Sequence, residues 1–197
     1  MKKALALMLG LILTSPVMAE FYDHRHYTTD SVTGLDWLDI RETLGRSYFQ
    51  IQKGDGGFLE NGWRIANIAE LAEMFGRVTD LPQGAWERGN AFVEAQRLVA
   101  CLGVGAIPGA YSDNGLPVQD TAHGIAEDQD PTDDRVGFGT IYLRHEDADN
   151  NTNPPTPIYQ QTRWDVFTNF YRDSQRYPYV GVWMVRPTAS LGRGPKC

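Results

Sequence analysis

Asp147, Asp149, Asn151 and Asn153 alternate along one short stretch, and alternating carboxylate and amide oxygens are the hard ligands that calcium takes. An EF-hand loop would also carry glycine at its sixth position and a bidentate glutamate at its twelfth, where Ile158 stands here. Asp147, Asp149 and Asn151 therefore form a candidate calcium site, with a solvated acidic loop stiffened by Pro154, Pro155 and Pro157 as the plainer reading. His24 and His26 would share one side of an extended segment and could begin a metal site, but no third ligand follows at a fixed spacing. His145 and Glu146 open a zinc-protease motif that Asp147, Ala148 and Asp149 leave without its second histidine. Gly103, Gly105 and Gly109 follow a helical pattern, with Pro108 among them, and so do not make a dinucleotide loop. No G-x-S-x-G elbow is present, and Cys101 lies in an apolar helical stripe where a thiolate is disfavoured.

The elements around these residues follow from periodicity and caps. In GWRIANIAELAEMF, Gly62 to Phe75, Asn67 and Glu70 have the spacing of a reciprocal capping box. Ile68, Leu71, Ala72 and Phe75 then recur on one helical face, with Gly76 placed to close it, and Trp63 is expected in the core. Leu44, Tyr48 and Ile51 predict an earlier helix from about Thr43 to Gln52. Ala91, Ala95, Leu98 and Leu102 predict a later one ended by Gly103. Leu35–Ile40, Val136–Leu143, a segment around Trp164 to Thr168, and Tyr179–Val185 alternate as strands, the second with a glycine face on Gly137 and Gly139. Ala110 to Arg135 and Arg144 to Gln160 lack periodicity and are expected to be long loops, the usual places for function.

Gly62, Trp63, Arg64, Ile65, Glu70 and Leu71 resemble the GWRLPTxxEL signature of bacterial C-type-lectin-like domains, with Ala66 and Asn67 in place of Pro and Thr. Thr33-Gly34-Leu35-Asp36-Trp37-Leu38-Asp39 and Val180-Gly181-Val182-Trp183-Met184-Val185-Arg186 are similar to the TGLxWLD and VGxWLVR blocks of secreted relatives. The resemblance implies an α+β fold: a C-type-lectin-like single domain over residues 20–197, with small antiparallel sheets, two or three helices and long loops. It also implies that the first and last strands, Leu35–Ile40 and Tyr179–Val185, lie together.

Met1–Ala19 has the basic start, apolar run and small-residue end of a signal peptide, too short in its apolar part to span a bilayer. Removing it takes two of the 18 basic residues and none of the 25 acidic ones, deepening the net charge of −7. Such a chain repels phosphate backbones and anionic lipid. In an oxidising compartment Cys101 and Cys197 are expected to pair, the competing reading being an inert buried Cys101 and a free tail thiol. The expected function is that of an exported, non-catalytic binding module presenting its two long loops to a glycan, peptide or matrix ligand. The alternative is an extracytoplasmic hydrolase using loop carboxylates.

Overall fold

The computed structural model describes residues 20–103, 119–128, 134–146, 159–189 and 194–197. The fold is mixed α+β, with two five-stranded sheets. The first sheet contains β1 (Phe21–Asp23), β2 (Tyr27–Asp30), β3 (Leu35–Leu38), β4 (Arg64–Ile65) and β10 (Met184–Pro187) in the order β1-β2-β3-β10-β4. The second contains β5 (Glu87–Arg88), β6 (Gln119–Ala126), β7 (Arg135–Glu146), β8 (Tyr159–Arg172) and β9 (Gly181–Val182) in the order β5-β8-β7-β6-β9. The expected partnership of early and late strands is present: β10 runs antiparallel to β3, with Val185 opposite Trp37.

Local chemistry sets the helices. Asn67 accepts from the Glu70 N–H at 2.9 Å and Glu70 returns to the Asn67 N–H at 3.0 Å, so α2 (Ile68–Thr79) begins where the capping box predicts. It does not end at Gly76. The helix continues to Thr79, and Asp80 takes the left-handed conformation that closes it; Gly76 instead gives room to the Trp164 ring. The expected helix from Thr43 is also corrected. A 3₁₀ turn spans Ile40–Thr43, and α1 (Tyr48–Gln52) starts only after Ser47, whose own capping box with Gln50 resets the chain. The third helix, α3 (Asn90–Leu102), ends at Gly103 as expected.

The helices lie against the sheet through the glycine face of β7. A Cβ on Gly137 would meet Ile68 at 2.4 Å and one on Gly139 would meet Leu71 at 2.5 Å. Only bare backbone lets α2 come that close. Two apolar clusters result. One gathers Trp37, Leu71, Phe75, Leu98, Ile141 and Trp183; the other gathers Leu38, Ile51, Trp63, Ile125, Val182 and Met184.

The expected strand Tyr179–Val185 is in fact two strands that belong to different sheets. The Trp183 N–H donates to the Ile125 carbonyl beside the second sheet, while the Trp183 carbonyl accepts from Ala66 beside the first. The chain thus crosses between sheets at one residue, and no continuous ladder can form. Ala110–Arg135 is not a loop throughout either, since residues 119–126 form an inner strand and Arg135 begins β7. Likewise Arg144–Glu146 and Tyr159–Gln160 extend β7 and β8 into the second expected loop.

The three blocks that carry the resemblance meet in space. Asp36 accepts from Thr29 Oγ1 at 2.7 Å, Arg186 Nε at 3.1 Å and Thr188 Oγ1 at 2.5 Å. The Arg186 guanidinium in turn lies 4.3 Å from the Trp63 ring centre and 4.9 Å from that of Tyr27. Trp63 is buried as expected. One paired guanidinium therefore joins all three segments through hydrogen bonds and cation–π contact.

Candidate functional site

A groove of ≈ 410 Å³ opens between α1, β4 and Glu127. α1 supplies one wall. Tyr48 is buried and its hydroxyl accepts from Gln52 Nε2 at 2.8 Å, while Phe49 is 45% exposed with the Lys53 ammonium 5.3 Å from its ring centre. Lys53 has no carboxylate within ion-pair distance among the described residues. Leu59 adds a further exposed apolar side chain.

Across the groove Arg64 forks onto Glu70, and the pairing raises the guanidinium pKa. Burial alone would raise the Glu70 carboxyl, but the hydrogen bonds from Arg64 and Asn67 outweigh it and hold the pKa below its ordinary value. Glu127 is exposed, yet its backbone is fixed by bonds to the Ala66 carbonyl at 2.8 Å and from the Ile68 N–H at 3.2 Å. Burial first, and then the charges of Glu127 and Asp173, push the Tyr48 hydroxyl pKa up. The groove wall thus combines a neutral phenol, an available ammonium and a held carboxylate.

An aromatic patch adjoins this groove. Between Phe167 and Tyr171, β8 bulges away from its β7 partner. Asn169, at the apex of the bulge, has φ 54; its N–H donates to Asp128 Oδ2 at 2.6 Å and its carbonyl accepts from Arg135 at 3.1 Å. Left-handed backbone in a non-glycine residue is strained, and such strain persists where the surroundings fix it. Here it aims Phe170 outward at 45% exposure, with its ring stacked 5.1 Å from Phe138 and edge-on 4.8 Å from Tyr171. Bulges commonly re-aim a side chain in this way. Groove and patch share a border, because Glu127 lines one and the adjacent Asp128 holds the other. The Phe49 N–H also binds the Asp173 carbonyl just beyond β8.

His123 lies beneath the patch, 2% exposed, with Nδ1 2.9 Å from Thr121 Oγ1 and its ring near Phe138 and Tyr179. Burial lowers its pKa, and the Tyr179 backbone opposes this without reaching strict hydrogen-bond geometry at Nε2. The imidazole is therefore held neutral at physiological pH.

The residues singled out by sequence are dispersed. Asp147, Asp149, Asn151 and Asn153 lie outside the described residues, as do Met1–Ala19, Gly105 and Gly109. Cys101 and Cys197 are joined in a disulfide. His24 and His26 do not share a strand face: Arg25 between them has φ 75, His24 stacks on Tyr27 at 4.6 Å, and His26 Nδ1 binds Glu42 at 2.9 Å. Among the described residues no three His, Cys, Asp or Glu side chains converge as metal ligands. No described helix is long and apolar enough to cross a membrane.

Asp39 is an acid that the strand reading of Leu35–Ile40 passed over. It is 2% exposed, one oxygen accepts from Arg41 at 3.2 Å, and the other has no partner among the described residues. Burial, helped by Asp23 and Glu42, raises its pKa from 3.8 to about 6 against the pull of Arg41. A raised carboxyl favours folding in its protonated form, so this contribution is complete below about 3.8 and lost as pH rises through about 6. Asp39→Asn cannot ionise, so its stability relative to wild type should improve by up to about 3 kcal/mol between acidic and neutral pH. Urea melts of both proteins at intervals across that window measure this; parallel curves would contradict it.

No family model, curated protein or solved structure matches the chain.

Proposed function

We propose that this protein is an extracytoplasmic binding module on a C-type-lectin-like scaffold, and that it holds a glycan or peptide ligand without turning it over. The observation that carries the reading is a groove lined by Phe49 and Glu127 together with the Phe170 bulge that the adjacent Asp128 holds, each of the two phenylalanines being 45% exposed. Solvent-exposed aromatic rings fixed by packing give large contact area at little entropic cost, and the polar groups beside them give direction. Export is supported by the Cys101–Cys197 disulfide, since such bridges persist in oxidising compartments. The lectin-like scaffold is supported by the antiparallel pairing of β3 with β10 and by the junction of the three blocks at Arg186.

In this reading the ligand face is built from α1, the β8 bulge and Glu127–Asp128, two residues that fall within the expected loop Ala110–Arg135. Glycan and peptide arrays probed with wild type, Phe49→Ala and Phe170→Ala test the assignment. Both residues are exposed, so melting temperatures should stay near wild type while affinity for any retained ligand drops about tenfold or more. Undiminished binding by both variants would remove the face from consideration. Turnover of the captured ligand by purified protein would favour a hydrolase.

A further inference from the structure

On another part of the molecule, β1, the C-terminal half of α2, α3 and the tail around Lys196 enclose a cavity of ≈ 110 Å³. Three of the side chains lining it are cations, Arg77, Arg97 and Lys196, against the single carboxylate of Glu94. In a chain of net charge −7 such a concentration runs against the overall balance.

The cations differ in how firmly they are committed. The terminal nitrogens of Arg77 grip the fully buried Asp30, and its guanidinium lies 5.8 Å from the Phe21 ring centre. The Arg77 Nε is buried with no partner among the described residues. Closed off from solvent, this nitrogen adds no hydrogen bond to the cavity, and Arg77 acts on it through its charge. Arg97 and Lys196 pair with Glu94 and Glu20 at 2.9 Å each, but all four side chains are substantially exposed, so these pairs exchange readily with an incoming anion. The remainder of the wall is apolar, from Phe21, Val78 and Leu98. The tail is held over the site by the Cys101–Cys197 bridge, by Asp23 N–H to the Pro195 carbonyl and by Cys197 N–H to the Phe21 carbonyl.

The geometry points to a binding site for a small aliphatic monocarboxylate at this cavity, distinct from the groove beside α1. The carboxylate accepts from Arg97 and Lys196 beside the charge of Arg77, while the short alkyl part packs on Phe21, Val78 and Leu98. A space of this size holds a molecule of about five to eight non-hydrogen atoms. The apolar wall and Glu94 disfavour a compact dianion, which would leave the apolar surface uncovered and face the Glu94 charge.

Butyrate, its neutral isostere butyramide and inorganic phosphate are the probes, titrated calorimetrically into the intact, disulfide-bonded protein. Butyrate should bind, and butyramide and phosphate should bind at least about tenfold more weakly, because only butyrate satisfies both halves of the wall. In the Arg97→Gln, Lys196→Gln double variant, whose changes lie on exposed side chains, the butyrate dissociation constant should rise about tenfold or more. Arg77→Met provides a second variant whose fold is checked by its melt before titration. The assignment is overturned by failure of wild type to bind butyrate, by equal binding of butyramide or phosphate, or by an unchanged constant in the double variant.

Discussion

Replacing Cys101 and Cys197 with alanine should lower the unfolding free energy by roughly 4–5 kcal/mol, because the bridge spans a sequence separation of 96 residues and restrains the unfolded chain accordingly. The folded state has its own stake in the bond. Cys101 lies in the last turn of α3 on its packed face, and its carbonyl accepts from the buried Thr28 hydroxyl at 2.9 Å. Cys197 fastens the tail that pairs with β1 through the bridge between Tyr22 and Lys196. Reduction releases that tail first, so β1 should lose amide protection before α2 or β7 does. Urea unfolding of wild type with and without a thiol reductant, beside the double alanine variant, measures the effect. A midpoint shift of less than about 1 kcal/mol equivalent would show that the unfolded chain is already restrained or that the tail contributes little.

What the sequence disclosed depended on how local the determining interactions are. The Asn67 to Glu70 capping box spans three residues, and the Gly137 and Gly139 face alternates within one strand; both were legible. Strand β6 was not. It is an inner strand, and Thr121, Ala122, His123, Gly124 and Ile125 are all buried, so its sequence lacks the polar alternation that marks a half-exposed strand. Ion pairs over long separations were equally hidden: Asp30 pairs with Arg77 and Asp36 with Arg186. The same limit applies to the candidate face, which takes Phe49 from a one-and-a-half-turn helix, Glu127 from the end of a strand and Phe170 from a bulge. Short helices have little periodicity to detect, and a bulge breaks the pattern that would locate its strand. Asparagine, which tolerates left-handed backbone, ahead of two aromatics in Asn169-Phe170-Tyr171 was the available signal.

Trp183→Ala should destabilise by about 3–5 kcal/mol, the range for removing a fully buried large aromatic. Trp183 is 0% exposed; its ring meets Trp37 and Phe75 edge-on at 6.4 and 5.9 Å, and Nε1 donates to the Gly139 carbonyl at 3.1 Å. Trp183→Phe keeps much of the packing and removes the hydrogen bond, so a smaller loss of about 1–3 kcal/mol is expected. The position of Trp183 adds a second consequence. Val182 and Met184 point into one cluster while Trp183 and Val185 point into the other, so this segment is the wall through which the two cores sense each other. Removing its largest side chain should weaken that coupling as well as the total stability. The indole N–H resonance of Trp63 reports on the cluster holding Ile51, Val182 and Met184, and far-ultraviolet circular dichroism reports chiefly on α2 and α3 over the other. In wild type the two signals should fall together on urea unfolding, and in Trp183→Ala they should separate. Coincident transitions in the variant, with stability reduced by the full amount, would mean that the sheets themselves transmit the cooperativity and that Trp183 only fills space.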